Sequence, residues 1–258
     1  MKARQGADRQ GQVAIVIGGT GALGACAVER LAAEGAQVAF SYHSSVAKAD
    51  ALKDRVRQAG SMEPHGAQVN NADAAATKVF MDDCAARFGR IDTLVYAAGP
   101  TFQLDFVSHI APDEFSRVID ADLKGCFNAI HAALPHLRAV KGAIVAITAA
   151  GVERALARDA LSLTPKSAIT TLIRHVALEE GRKGVRANCV APGFIDGGLG
   201  AAILDNVGPE MADQIVKSIP LQRMGEVEEI AEAVAWLSSA RASYVTGTTL
   251  FVTGGMEI

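Results

Sequence analysis

Half of the 258 residues are hydrophobic and 21% are charged, enough chain for one large core or two small ones, and the segments read below favour one. The net charge of -3 argues against a general nucleic-acid or anionic-membrane binder, so a small-molecule ligand is expected and neither nucleic acid nor membrane. Cys26, Cys84, Cys126 and Cys189 stand far apart with no CxxC pair, which reads as buried reduced thiols, no disulfide and no metal site. Residues 1–12 are polar and expected to be flexible. With no apolar stretch behind them and no apolar run near about 18 residues, neither a secretory signal nor a membrane span is expected, and the expected location is the cytoplasm.

Val13–Ile17 is an unbroken apolar run, the pattern of a central parallel strand buried on both faces. It leads into Gly18, Thr20, Gly21, Leu23 and Gly24, and a helical small-residue pattern follows from Ala25 to Ala33. Glycines at 18, 21 and 24 permit a tight turn, close approach of a pyrophosphate to the backbone, and close packing of helix on strand. A dinucleotide is the natural ligand of such a turn. Gln37–Tyr42 reads as the second strand, followed by His43, Ser44 and Ser45 where the adenosine ribose would lie. No carboxylate stands there to pair with a ribose 2′-hydroxyl, so the reading leans toward NADP(H) over NAD(H).

A polar helix over Ala47–Ala59 leads to a third strand around His65–Val69, with Asn70 to Asp73 closing it near the adenine. A helix over Thr77–Phe88 ends at Gly89, and the strand Ile91–Tyr96 runs into Ala97, Ala98, Gly99 and Pro100, small enough for the backbone to pass close to a cofactor. Pro112 opens a long helix through Asp120, Asp122 and Gly125 to about Leu137, with Pro135 breaking its end. Gly142–Thr148 is the fifth strand. Pro165 stands just before Lys166, which predicts a helix starting at Pro165 with Thr164 as its N-cap and running to Glu180. On that reading Ser162 and Lys166 need not share a helix face. Val185–Val190 is a sixth strand closed by Ala191, Pro192 and Gly193; residues 194–217 read as a mobile lid, Val227–Leu237 as a helix and Thr249–Val252 as the last strand. The alternation is that of a single-domain α/β protein, a Rossmann-type doubly wound parallel sheet over residues 13–258.

Several landmarks now stand in order: the turn GGTGALG, Ala97–Gly99, VIDADLKGCFN at Val118–Asn128, Lys166, VAPG at Val190–Gly193, and the terminal SYVTG and TGG. In these the chain resembles the short-chain dehydrogenase/reductase family along nearly its whole length. The resemblance implies an NAD(P)-dependent oxidoreductase, a homo-tetramer or homodimer, and cofactor contacts carried over to Lys166, Pro192, Gly193 and Ile195. Usual members have a Tyr one helical turn before the active-site Lys, a Ser upstream of it and an Asn in the preceding long helix. Ser162, Ala149 and Asp122 stand at those places here, and Tyr96 and Ala97 replace the first two residues of the usual Asn-Asn-Ala-Gly. A serine hydroxyl is far less acidic than a phenol, so Ser162 does not simply inherit proton transfer.

The peroxisomal type of 2,4-dienoyl-CoA reductase is similar in lacking that Tyr, in having Asp within the long helix, and at ITAA, PLQRMG and ASYVTG. That resemblance implies that Asp122 and Lys166 position a water or donate a proton during conjugate reduction of a thioester. The catalytic candidates are therefore Asp122, Lys166 and Ser162. Other readings stay open at this point: Arg154 or Arg158 binding a carboxylate or phosphate, His109 as an acid/base, Tyr96 as packing or as a substitute phenol. Phe102, Phe106, Leu156, Phe194, Leu199 and Ile203 point to a largely hydrophobic ligand. The alternative function is a non-redox lyase, isomerase or cyclase, or a cofactor-binding pseudoenzyme, on the same fold.

Overall fold

Strand β1 (Val13–Ile17) is buried along its whole length, and its side chains divide by parity. Val13, Ile15 and Ile17 enter one apolar cluster, Ala14 and Val16 another, so the strand needs helices on both faces. A computed structural model, which describes residues 9–153, 156–198 and 208–257, shows how the chain supplies them. Seven strands form one parallel sheet in the order β3-β2-β1-β4-β5-β6-β7: β2 is Gln37–Tyr42, β3 His65–Gln68, β4 Thr93–Tyr96, β5 Ala143–Ile147, β6 Arg186–Pro192 and β7 Thr249–Val252. Helices α1 (Ala22–Ala33), α2 (Val46–Gln58) and α8 (Val227–Ser238) cover one face, contributing Leu31, Leu52 and Val234 to its core. Helices α3 (Ala74–Phe88), α5 (Gly125–Val140) and α6 (Ala160–Glu180) cover the other, contributing Met81, Leu137 and Ile173. The single-domain Rossmann-type fold expected from the alternation is the observed one.

Local chemistry sets most boundaries. Helix α3 begins at Ala74, three residues ahead of the expected Thr77, because the Asp73 carboxylate accepts from the amides of Ala75 at 2.9 Å and Ala76 at 3.1 Å. It ends at Gly89, whose φ of 79° is the left-handed geometry that closes a helix. Ahead of β1, Arg9 is only 1% exposed; its guanidinium donates to Glu34 Oε2 at 2.6 Å, to Ser238 Oγ at 2.9 Å and to the Ala235 carbonyl, tying α1 to α8. No helix among the described residues is long and apolar enough to cross a membrane.

Two proline-based expectations are corrected. Helix α6 starts at Ala160, with Asp159 in the N-cap position, and Pro165 lies inside it. Proline there forfeits a backbone hydrogen bond, at a cost of about 3 kcal/mol in an ordinary helix. Burial of Leu161, Leu163 and Pro165 against the core offsets it, since a fully buried leucine alone is worth about 1.5–3 kcal/mol. Ser162 and Lys166 therefore share one helix face after all. Likewise α5 continues through Pro135 to Val140 and closes at Lys141, whose φ is 58°. The long helix before it is also not uniform: α4 (Pro112–Ile119) passes into a π-turn over Asp120–Lys124 before α5 begins. Of the segment read as a lid, residues 199–207 lie outside the described residues, and Pro209–Ser218 is an exposed helix, α7.

Candidate active site

The sheet order reverses between β1 and β4, and the crevice beyond their carboxyl ends is where open α/β sheets take ligands. Gly18 leaves β1 with φ of 82°, and a Cβ there would lie 2.6 Å from the Ala98 Cα. Gly24, in the first turn of α1, is pressed so closely on the strand that a Cβ would meet the Gly18 carbonyl at 2.2 Å. Gly21 is the exposed N-cap of α1 and carries no side-chain cap, so the amides of that helix end face the crevice unblocked. Thr20 and Leu23 are half-buried on the same turn. This cradle, narrow where Cβ atoms would clash and positive where amides point outward, fits the pyrophosphate of a dinucleotide.

The other expected cofactor positions lie along the same edge. His43 and Ser44 are exposed just after β2, and the His43 carbonyl accepts from Gln68 Nε2 at 2.7 Å. Asn70 is exposed after β3, its Oδ1 accepting from the Ala72 amide. Ala97 and Gly99 follow β4, and Pro192 ends β6. Gly193 passes so close to Thr253 that a Cβ would lie 2.9 Å from its Cα, and Ile195, 3% exposed, bridges to Gly225. Two polar residues of this edge were given no role by the sequence: Ser41 Oγ accepts from the Gly18 amide at 3.3 Å, and Asn128 Nδ2, at the end of the VIDADLKGCFN segment, donates to the Asn71 and Ala72 carbonyls.

Beside the cradle the π-turn and α6 bring together Asp122 and Lys166. Lys166 Nζ donates to Asp122 Oδ1 at 2.9 Å and to the Ala98 carbonyl at 3.3 Å, with side chains 13% and 3% exposed. An ammonium has three donors, so one remains for a ligand. Gly99 keeps the approach open, since a Cβ there would stand 3.7 Å from Nζ. Ser162, 9% exposed, is one turn before Lys166 on the same helix face, and Ala149 follows β5.

The remaining candidates separate. Tyr96 is fully buried, and its hydroxyl donates to the Asp122 carbonyl at 2.7 Å. Burial and the Asp122 carboxylate push its phenol well above the ordinary tyrosine value, so it stays protonated and is not a substitute acid for a ligand. His109 is exposed, pairing with Asp105 at 3.1 Å. Arg158 adopts φ of 69°, donates to the Leu104 carbonyl and lies 5.5 Å from the Phe106 ring centroid, clamping two loops. Arg154, Leu199 and Ile203 lie outside the described residues; Phe106 and Leu156 are exposed, Phe102 and Phe194 half-buried. Asp159 was not singled out by any motif, yet its Oδ1 is buried without a hydrogen-bond partner among the described residues, and desolvation pushes its carboxyl up to about 6. All four cysteines are free, and burial pushes the Cys26 thiol up to about 11, so none is a ready nucleophile. No metal-ligating cluster is present among the described residues.

A glycine-built cradle at the switch point of a doubly wound parallel sheet, with a part-buried lysine–aspartate pair beside it, is the arrangement of a Rossmann-type fold. The model of the enoyl-(acyl carrier protein) reductase family matches residues 19–257. A 3-oxoacyl-[acyl-carrier-protein] reductase of Staphylococcus aureus is 34% identical over 244 residues, 94% of this chain and 97% of that protein. The peroxisomal 2,4-dienoyl-CoA reductase of Saccharomyces cerevisiae, (3E)-enoyl-CoA-producing, is 32% identical over 250 residues, 96% of this chain and 84% of that one. Among solved structures, a blue fluorescent protein from a metagenomic library in complex with NADPH superposes with a TM-score of 0.86 at 32% identity, covering 97% of this chain and all of that one. The chain belongs to the short-chain dehydrogenase/reductase family and is an oxidoreductase of that type.

Proposed function

We propose that the protein is an NADP(H)-dependent reductase whose Asp122–Lys166 pair serves the reduction of a conjugated carbonyl or thioester. The observation that carries this reading is the buried pair itself, 2.9 Å long and set against the Ala98 carbonyl at the mouth of the cradle. Gly18, Thr20, Gly21, Leu23 and Gly24 would hold the pyrophosphate, His43 and Ser44 the ribose end, Asn70 the adenine side, and Ala97, Gly99, Pro192, Gly193 and Ile195 the nicotinamide side. The absence of a carboxylate immediately after β2 favours the phosphorylated ribose. When bound, the nicotinamide supplies a hydride.

What the chain supplies is charge and a proton path. The free donor of Lys166 Nζ is available to a ligand hydroxyl or to a carbonyl oxygen as it gains negative charge, and Asp122 holds Nζ in place through Oδ1. In conjugate reduction the proton goes to a carbon of an enolate, so a positioned water or ammonium serves where a phenol is lacking. Ser162 lies on the same face and is placed to bind ligand, while its hydroxyl is too weak an acid to replace tyrosine at neutral pH. That same substitution supports the alternative, a non-redox enzyme or cofactor-binding pseudoenzyme. Family likeness supports a homo-tetramer or homodimer.

The test is fluorescence titration with NADPH and NADH, followed by hydride-transfer assays on a dienoyl-CoA and a panel of ketones. The reading expects NADPH to bind more tightly than NADH and to be oxidised only with the conjugated substrate. Tight binding without turnover on any substrate favours the alternative, and turnover of simple ketones at the same rate contradicts the role given to Asp122 and Lys166.

A further inference from the structure

Asp122 sits in the one stretch of its helix that is not α-helical, and the wider turn must be held by something outside it. In the π-turn the Gly125 amide is shared between the carbonyls of Asp120 and Asp122, so the Asp122 carbonyl receives a shared amide. Tyr96, the last residue of β4, reaches across to it. Its hydroxyl donates to the Asp122 carbonyl at 2.7 Å and lies 3.3 Å from that of Ala121. The same ring underlies the other partner, with Lys166 Nζ 6.0 Å from its centroid. Gly125 makes room for the phenol: a Cβ there would stand 3.1 Å from the Tyr96 hydroxyl oxygen. One side chain thus grips the backbone of the residue that supplies the carboxylate and floors the ammonium that the carboxylate holds.

We propose that Tyr96 is a positioning residue for the Asp122–Lys166 pair, acting through the π-turn carbonyl and not on the ligand. The proposal rests on the reading of that pair as the functional one. It links two departures from the family pattern, the tyrosine that ends β4 and the aspartate in the long helix, into one unit with Gly125. Removing the hydroxyl leaves the Asp122 carbonyl with the shared Gly125 amide and without its phenol donor, so the turn relaxes toward α-helical geometry and the carboxylate draws away from Lys166.

The experiment reads the pair directly and needs no turnover. The rate at which trinitrobenzenesulfonate labels Lys166 is followed by mass spectrometry at pH 8 in the wild type, Tyr96→Phe, Asp122→Asn and the double variant. Each single variant is expected to label about fivefold faster, the scale of one lost hydrogen bond, and the double variant no faster than Asp122→Asn alone. Gly125→Ala should act like Tyr96→Phe in the wild type and be tolerated better in the Tyr96→Phe background, where the crowding oxygen is gone; this keeps the proposal testable if one variant folds poorly. Unchanged labelling in Tyr96→Phe, or effects that simply multiply in the double variant, overturns it. Loss of nucleotide binding or turnover in the wild type would count against the proposed function and leave the labelling result intact.

Discussion

The two halves of the site are made of different material. The cradle between β1 and α1 is backbone: Gly18, Gly21 and Gly24 work through the side chains they lack, over seven consecutive residues. The pair beside it is side chain: Asp122 and Lys166 are 44 positions apart, carried by separate helices and held by Tyr96 from a strand. A site built from absent Cβ atoms is brittle to a single methyl group, whereas one built from side chains tolerates substitution in binding and loses function selectively. In the proposed reading the backbone half fixes what is bound and the side-chain half decides what is done to it.

The largest effect that would break this contrast belongs to the cradle. Gly24→Ala puts a methyl 2.2 Å from the Gly18 carbonyl, a backbone atom that cannot move aside cheaply. It should cost about 1–3 kcal/mol of stability and raise the Kd for NADPH at least about tenfold, read by thermal melting and fluorescence titration. A variant with wild-type affinity and Tm would show that the turn is looser than its geometry implies. Next in size, His43→Asp restores a carboxylate after β2 and should weaken NADPH about tenfold while leaving NADH unchanged or tighter. Equal losses for both nucleotides would place the ribose elsewhere.

The smallest effect sharpens the other half. Asp159, the N-cap of α6, precedes Ser162 and Lys166 at spacings that put all three on one side of the helix, and its buried Oδ1 has no partner among the described residues. Its folded pKa, about 6, lies above the ordinary 3.8, so the native state binds the extra proton and the carboxylate costs stability as pH rises through that interval. Asp159→Asn should therefore stabilise the protein at pH 7.5 by on the order of 1 kcal/mol, with the gain gone below pH about 4, read by denaturant unfolding across pH. A destabilised variant at pH 7.5 would mean that the carboxylate has a charge partner in solution.

The same division explains what could be read from the sequence. Glycine spacing after an apolar run depends on neighbours only, so the cradle was legible, as was the alternation that yields a doubly wound sheet. Pro165 misled because its local rule was overridden by burial of Leu161 and Leu163, and only the folded helix returns Ser162 and Lys166 to one face. Asp122 and Lys166 were reached through family likeness, not through spacing. The π-turn, the grip of Tyr96 on it, Ser41 under Gly18 and the orphaned Asp159 oxygen depend on contacts between distant segments, and no residue pattern announces them.

The most direct test of the account compares wild type with Asp122→Asn, first titrated with NADPH and NADH and then mixed with a dienoyl-CoA. The account predicts that both bind NADPH within about threefold of each other, since the cradle does not include Asp122, and that the variant oxidises it at least about tenfold more slowly. Wild-type turnover in the variant, or no nucleotide binding by the wild type, would contradict it.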